Sequence, residues 1–171
     1  LGGLGFIVMD DVLSKRKFKS LTVHSKVVIL ASAGLVIAGT VVFRLIELNN
    51  PDTLANLSYA DQWLASMFQA VTPRTAGFNT LPLEKVEDSS LFLLVIMMVI
   101  GASPASTGGG IKTTTLAVIL MSTWAVLRGR NDIVIFERRV SKKAVNKAFT
   151  ILVLALILIS SVTMAISPME E

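Results

Sequence analysis

Residues 101–115, GASPASTGGGIKTTT, gather the side chains most able to do chemistry. They comprise four glycines, a proline, six hydroxyls and Lys112, set between apolar runs. LFLLVIMMVI (91–100) precedes them; LAVILM (116–121) and WAVL (124–127) follow. Each apolar half amounts to roughly 15–18 Å of helix, about half of a ~30 Å hydrocarbon core. Irregular backbone at membrane depth leaves N–H and C=O groups unpaired, so it survives only inside protein or beside a watery path. A lysine there is costly and marks function. The second polar stretch is TPRTAGFNT (72–80), with Arg74 and Gly77. Such residues suit the handling of a small polar or charged species. They assemble no nucleophile, base and oxyanion site, so no catalytic residues and no enzyme are expected. GGGIK is no nucleotide-binding P-loop, because Ile111 separates glycine from lysine and the flanks are apolar helices. His24 stands alone in a basic loop and Asp10-Asp11 is isolated, better suited to capping or pairing with that loop.

The elements that position these residues follow from composition. The chain is 53% hydrophobic, has no cysteine and carries a net charge of +4. Its mean hydropathy is +0.69. Residues 27–43 and 148–166 are uncharged and long enough for transmembrane helices. The fold class is therefore an all-α membrane protein in contact with the lipid bilayer. Leu1 reads as the cut end of an earlier helix and SPMEE as a stop just after a span, which suggests an internal fragment. Segments 10–26 and 128–147 own 12 of the 16 basic residues, which puts both in the cytoplasm. They flank apolar spans without interleaved aromatics, so no nucleic-acid partner is expected.

Orientation sets the topology. Residues 1–22 end a preceding repeat and form a cytoplasmic loop. Residues 23–127 form one unit: a span at 23–47, a short helix at 58–71, a return loop at 72–80 and a broken span at 89–127. Residues 128–147 are a cytoplasmic connection, and 148–171 begin the next span. Arg44 and Glu47, near the outer end of 23–47, are expected to snorkel. Ser58-Tyr59-Ala60-Asp61 fits a capping box, and Pro73 ends the short helix. Because 23–47 rises and 89–127 descends, the short helix must be re-entrant.

These segments carry a resemblance. TPRTAGFNT is similar to the filter segment of the Trk/Ktr/HKT superfamily of potassium transporters. SPASTGGGIKTTT (103–115) resembles the intramembrane loop in the third repeat of its bacterial members. LTVHSKVV (21–28) and GRNDIVIFERRV (129–140) resemble cytoplasmic segments of the Ktr-type membrane subunit. The resemblance implies a potassium-channel-like helix–pore helix–filter–helix repeat, one of four around a pore. It implies potassium as the transported ion, with sodium as the alternative, and no cofactor or other metal in this chain. As partners it implies the remaining repeats, a second copy in a homodimer and a cytosolic nucleotide-binding regulatory subunit. The location is the plasma membrane, the inner membrane in bacteria, with multiple passes.

Within that frame, backbone carbonyls of Thr75, Ala76, Gly77 and Phe78 are expected to replace an ion's water, Gly77 supplying a conformation other residues avoid. Arg74 is expected to point back into the protein, toward carboxylates or carbonyls that brace the filter loop, with Asp61 and Glu84 as nearby acids and a partner on another repeat as the equal alternative. Gly108, Gly109 and Gly110 are expected to form a movable gate. Lys112 either pairs with an acid or stands as a barrier in the path. A secondary transporter of another solute, built on a broken helix, is the alternative function.

Overall fold

The structure, a computed structural model, describes residues 2–129, 133–136 and 138–166. Leu1, residues 130–132 and Glu137 of the second basic segment, and residues 167–171 lie outside the described residues. The chain forms two compact units, Leu1–Thr114 and Thr115–Glu171.

In the first unit, helix α1 spans Phe6–Lys15. The basic segment at 10–26 thus begins as helix. Asp11 near its end accepts hydrogen bonds from the Thr22 amide (2.9 Å) and hydroxyl (2.8 Å). It also pairs with Lys15 at 2.6 Å. Lys15 foremost, then Ser25 and Thr22, hold the Asp11 carboxyl well below the usual carboxylate range. Thr22 in turn caps helix α2 (Val23–Glu47) by accepting from the Ser25 amide.

Helix α2 has 25 residues, or ~37 Å, with a mean hydropathy of 2.2 over its most apolar stretch, enough to cross a bilayer. Its C-terminal end departs from expectation: neither Arg44 nor Glu47 snorkels. Glu47 is fully buried. It accepts from Asn50 Nδ2 (2.8 Å), Thr53 Oγ1 (2.6 Å) and the Glu87 amide (2.9 Å). Local donors offer the carboxylate a protein solvation shell that it would otherwise seek in water. Arg44 folds onto the next helix, its guanidinium 5.0 Å from the Tyr59 ring and 4.6 Å from the Trp63 ring, and donates to Gln62 Oε1 at 3.1 Å. Aromatic faces and an amide oxygen stabilise the cation in place of solvent.

Helix α3 (Tyr59–Val71) has 13 residues, ~20 Å, too short to cross. Ser58 and Asp61 form the reciprocal cap, with the Ser58 hydroxyl donating to Asp61 at 2.6 Å and accepting from its amide at 3.3 Å. The helix lies against α2. Gly39 is one reason it can, since a Cβ there would meet Ala70 Cβ at 3.1 Å and Met97 Cε at 3.0 Å. Helix α4 spans Asp88–Val99. A core of Phe43, Leu54, Val86 and Leu94 ties α2, α4 and the segments between them together. Removing these side chains from water or lipid-headgroup contact stabilises each by roughly 1.5–3 kcal/mol.

Helix α5 (Thr113–Leu127) restarts the apolar pattern after the break and begins at the boundary between the units. In the second unit, Val134–Ile135 (β1) and Arg138–Arg139 (β2) pair antiparallel, Val134 opposite Arg139. Helix α6 (Lys142–Ile166) has 25 residues and a mean hydropathy of 2.6 over its most apolar stretch. It starts within the basic segment, because Lys142, Lys143 and Lys147 are good helix formers that continue the apolar span.

Candidate functional site

The first half of the site is the turn that ends α3. Helix α3 stops at Val71 ahead of Pro73, and its C-terminal dipole places partial negative charge at the turn. Thr72 organises the chain beyond it. Its carbonyl accepts from the amides of Ala76 (3.0 Å) and Gly77 (3.4 Å), and its hydroxyl donates to the Phe78 carbonyl. Thr75 and Gly77 both lie in the left-handed region, φ 73° and 76°. Glycine does this freely. For β-branched Thr75 it costs of order 1–3 kcal/mol and needs surroundings that hold it. Among the described residues nothing donates to the carbonyls of Thr75, Ala76 or Gly77. The Phe78 carbonyl differs, because the Thr72 hydroxyl engages it.

Arg74 points back into the protein, where Nη2 donates to Ser32 Oγ on α2 (3.4 Å) and to the Gly101 carbonyl (3.5 Å). Neither Asp61 nor Glu84 is its partner: Asp61 is committed to the α3 cap, and among the described residues Arg74 makes no ion pair. Of the two kinds of partner expected, carboxylate or carbonyl, the structure shows the carbonyl, joined by a serine hydroxyl.

The second half is the interruption between α4 and α5. It is a closed loop rather than a slack one. Ile111 donates to Val99 O (3.0 Å), Ala102 to Gly109 O (3.1 Å) and Thr113 to Ala102 O (3.4 Å). Ser103 and Thr113 join hydroxyls at 3.0 Å, and Ser106 Oγ donates to Ser103 O at 2.5 Å. The glycines have separate reasons. A Cβ on Gly101 would stand 1.8 Å from Gly109 O. Gly110, at φ 76°, would meet Gly101 Cα at 2.7 Å. Gly108 would meet Ala102 Cβ at 2.3 Å and Thr75 Oγ1 at 2.7 Å. Gly109 alone of the four faces open space. Lys112 donates to the Gly108 carbonyl at 2.6 Å, so it closes the loop on a main-chain oxygen and not on an acid.

The residues before α1 also hold this loop. Ser103 N donates to Gly3 O (2.9 Å), and Phe6 N donates to Ala105 O (3.0 Å). Gly5, at φ 84°, permits the approach, since a Cβ there would lie 2.4 Å from Pro104 O. Sequence reasoning missed this docking; its one signal was the cluster of glycines at 2, 3 and 5 beside an apolar helix. It also missed the packing of Gly101, which looked like any helix-breaking glycine.

Long apolar helices, a short capped helix ending in free carbonyls and a polar loop between two half-length apolar helices define an all-α membrane protein. The TrkH family, described as "Cation transport protein", matches residues 1–169, and the chain belongs to that family. It is 38% identical over 156 residues to "Ktr system potassium uptake protein B" of Vibrio alginolyticus, covering 90% of this chain and 34% of that protein. Against the protein of the same description in Bacillus subtilis (strain 168) it is 38% identical over 158 residues, 92% of this chain and 36% of the relative. Against "Potassium/sodium uptake protein NtpJ" of Enterococcus hirae it is 36% identical over 169 residues, 99% of this chain and 37% of the relative. The chain thus spans about a third of the length of these relatives.

Proposed function

We propose that this chain supplies one helix–pore helix–filter–helix unit of a subunit that takes up potassium across the plasma membrane. The observation that carries the reading is the run of carbonyls at Thr75, Ala76 and Gly77 with no hydrogen-bond donor among the described residues, at the negative end of α3. Such oxygens cost free energy in a membrane unless a cation or water meets them. Left-handed residues alternating with ordinary ones, at Thr75 and Gly77, favour turning successive carbonyls to one side. A potassium ion shedding water would be met by these oxygens and by their counterparts in the other repeats. The Phe78 carbonyl keeps a second lone pair for the same use. The names of the relatives support potassium as cargo, and one of them names sodium as well.

In this reading residues 101–112 form the gate, with Gly109 as the unencumbered point and Lys112 as the latch on Gly108. Arg74 supports the filter from behind. The partners are the remaining repeats, a second copy of the subunit and a cytosolic nucleotide-binding subunit docked on the basic segments. The word "system" in the relatives' names supports an assembly of more than one component. The test is potassium uptake by the complete subunit in a host that lacks its own. Lys112→Gln and deletion of Gly108–Gly110 are expected to raise basal uptake. Wild-type flux in both variants would remove the gate, and absent uptake by the wild type would remove the function.

A further inference from the structure

We infer that Gly108, a residue of the intramembrane loop, is a specificity-determining position because it holds Thr75 of the filter turn in place. The inference rests on the function proposed above. Thr75 is a β-branched residue in the left-handed region, a conformation that persists only where its surroundings over-determine it. The turn restrains it from one side, through the bonds to the Thr72 carbonyl and through its own hydroxyl, which donates to Arg74 O at 2.6 Å. The loop restrains it from the other side at Gly108, where a methyl group would stand 2.7 Å from Thr75 Oγ1. The neighbouring residue, Arg74, reaches the same loop at the Gly101 carbonyl. Two consecutive residues of the turn therefore rest on one loop.

That loop cannot absorb a displacement softly. Gly101 and Gly110 meet backbone to backbone, and Ala102 and Ser103 are fully buried. An added methyl at 108 must be cleared by both neighbours to reach ordinary contact at about 3.4 Å, by roughly 1 Å at Ala102 Cβ and roughly 0.7 Å at Thr75 Oγ1. Discrimination between potassium and sodium depends on the spacing and field of the coordinating carbonyls. The carbonyl of Thr75 is one of the three unpaired oxygens, so a shift there alters preference and not only rate.

The experiment measures potassium and sodium uptake by the complete subunit in uptake-deficient cells. Gly108→Ala is expected to lower the potassium-over-sodium ratio by about tenfold, the change that 1.4 kcal/mol would produce. Gly109→Ala makes the same chemical change one residue along, into open space, and is expected to keep the wild-type ratio whatever it does to the rate. Ala102→Gly combined with Gly108→Ala removes the other close atom, leaving the Thr75 oxygen as the one clash. This double variant should retain the lowered ratio, and it carries the test if Gly108→Ala alone fails to reach the membrane. A wild-type ratio in Gly108→Ala or in the double variant overturns the inference. An equal fall in Gly109→Ala overturns it too. In each of those results potassium uptake persists and the proposed function stands. Loss of uptake in the wild type would overturn the function, and this inference with it.

Discussion

Replacing Glu47 by alanine should be among the most damaging single changes to the first unit. The carboxylate is fully buried and takes three donors, at 2.8, 2.6 and 2.9 Å. Asn50 Nδ2 also donates to Lys85 O at 2.9 Å, so it keeps a partner when Glu47 is gone. Thr53 Oγ1 and the Glu87 amide do not. Two orphaned donors cost about 1–3 kcal/mol each, and the emptied volume adds to that. The expected loss for Glu47→Ala is about 3–5 kcal/mol. Glu47→Gln keeps a carbonyl for one oxygen's donors but turns an amide N–H toward the others, for a loss of about 1–3 kcal/mol. Unfolding of the complete subunit, titrated with a denaturing detergent in mixed micelles, measures both. The order wild type, glutamine, alanine is the signature of a hydrogen-bonded brace. An alanine variant within about 0.5 kcal/mol of wild type, the range of an ordinary surface change, would refute the reasoning. It would mean that the cost of desolvating the carboxylate cancels its bonds.

Two further outcomes are expected from contacts of the same kind. Arg74→Gln loses the fork that reaches both Ser32 and Gly101 O, and should loosen ion preference while leaving expression largely intact; an unchanged potassium-over-sodium ratio would reject the role. Asp11→Asn should destabilise the subunit at neutral pH. Because folding depresses the Asp11 pKa, its contribution is complete above the ordinary aspartate value and is lost as pH falls through the lower, folded value. Wild type and variant should therefore converge in acid when thermal unfolding is tracked against pH, and a constant gap would contradict the assignment.

The sequence carried the fold through a few strong local signals. Uncharged runs announced α2 and α6, and Ser58 with Asp61 announced the start of α3. Glycine and proline between two half-length apolar runs announced the break after Val99. What stayed hidden was set by contacts distant in sequence. Nothing local distinguishes a glutamate that snorkels from one that gathers donors from residues 50, 53 and 87. The same holds for Arg44, whose aromatic partners lie on another helix, and for Arg74, whose partners are a serine and a main-chain oxygen. In GGGIK the three glycines look equivalent. Only the fold separates Gly108 and Gly110, each pressed against a neighbour, from Gly109, which has room.

The seating of Gly3, Gly5 and Phe6 on Ser103–Ala105 means that the first unit is closed on itself, its beginning locked to its last loop. A chimera exchanging 23–127 between relatives would inherit a loop shaped for someone else's preceding helix. During biosynthesis the support must wait for a loop made about a hundred residues later. A transplant of this loop therefore has to carry α1 and the residues from Gly3 onward with it.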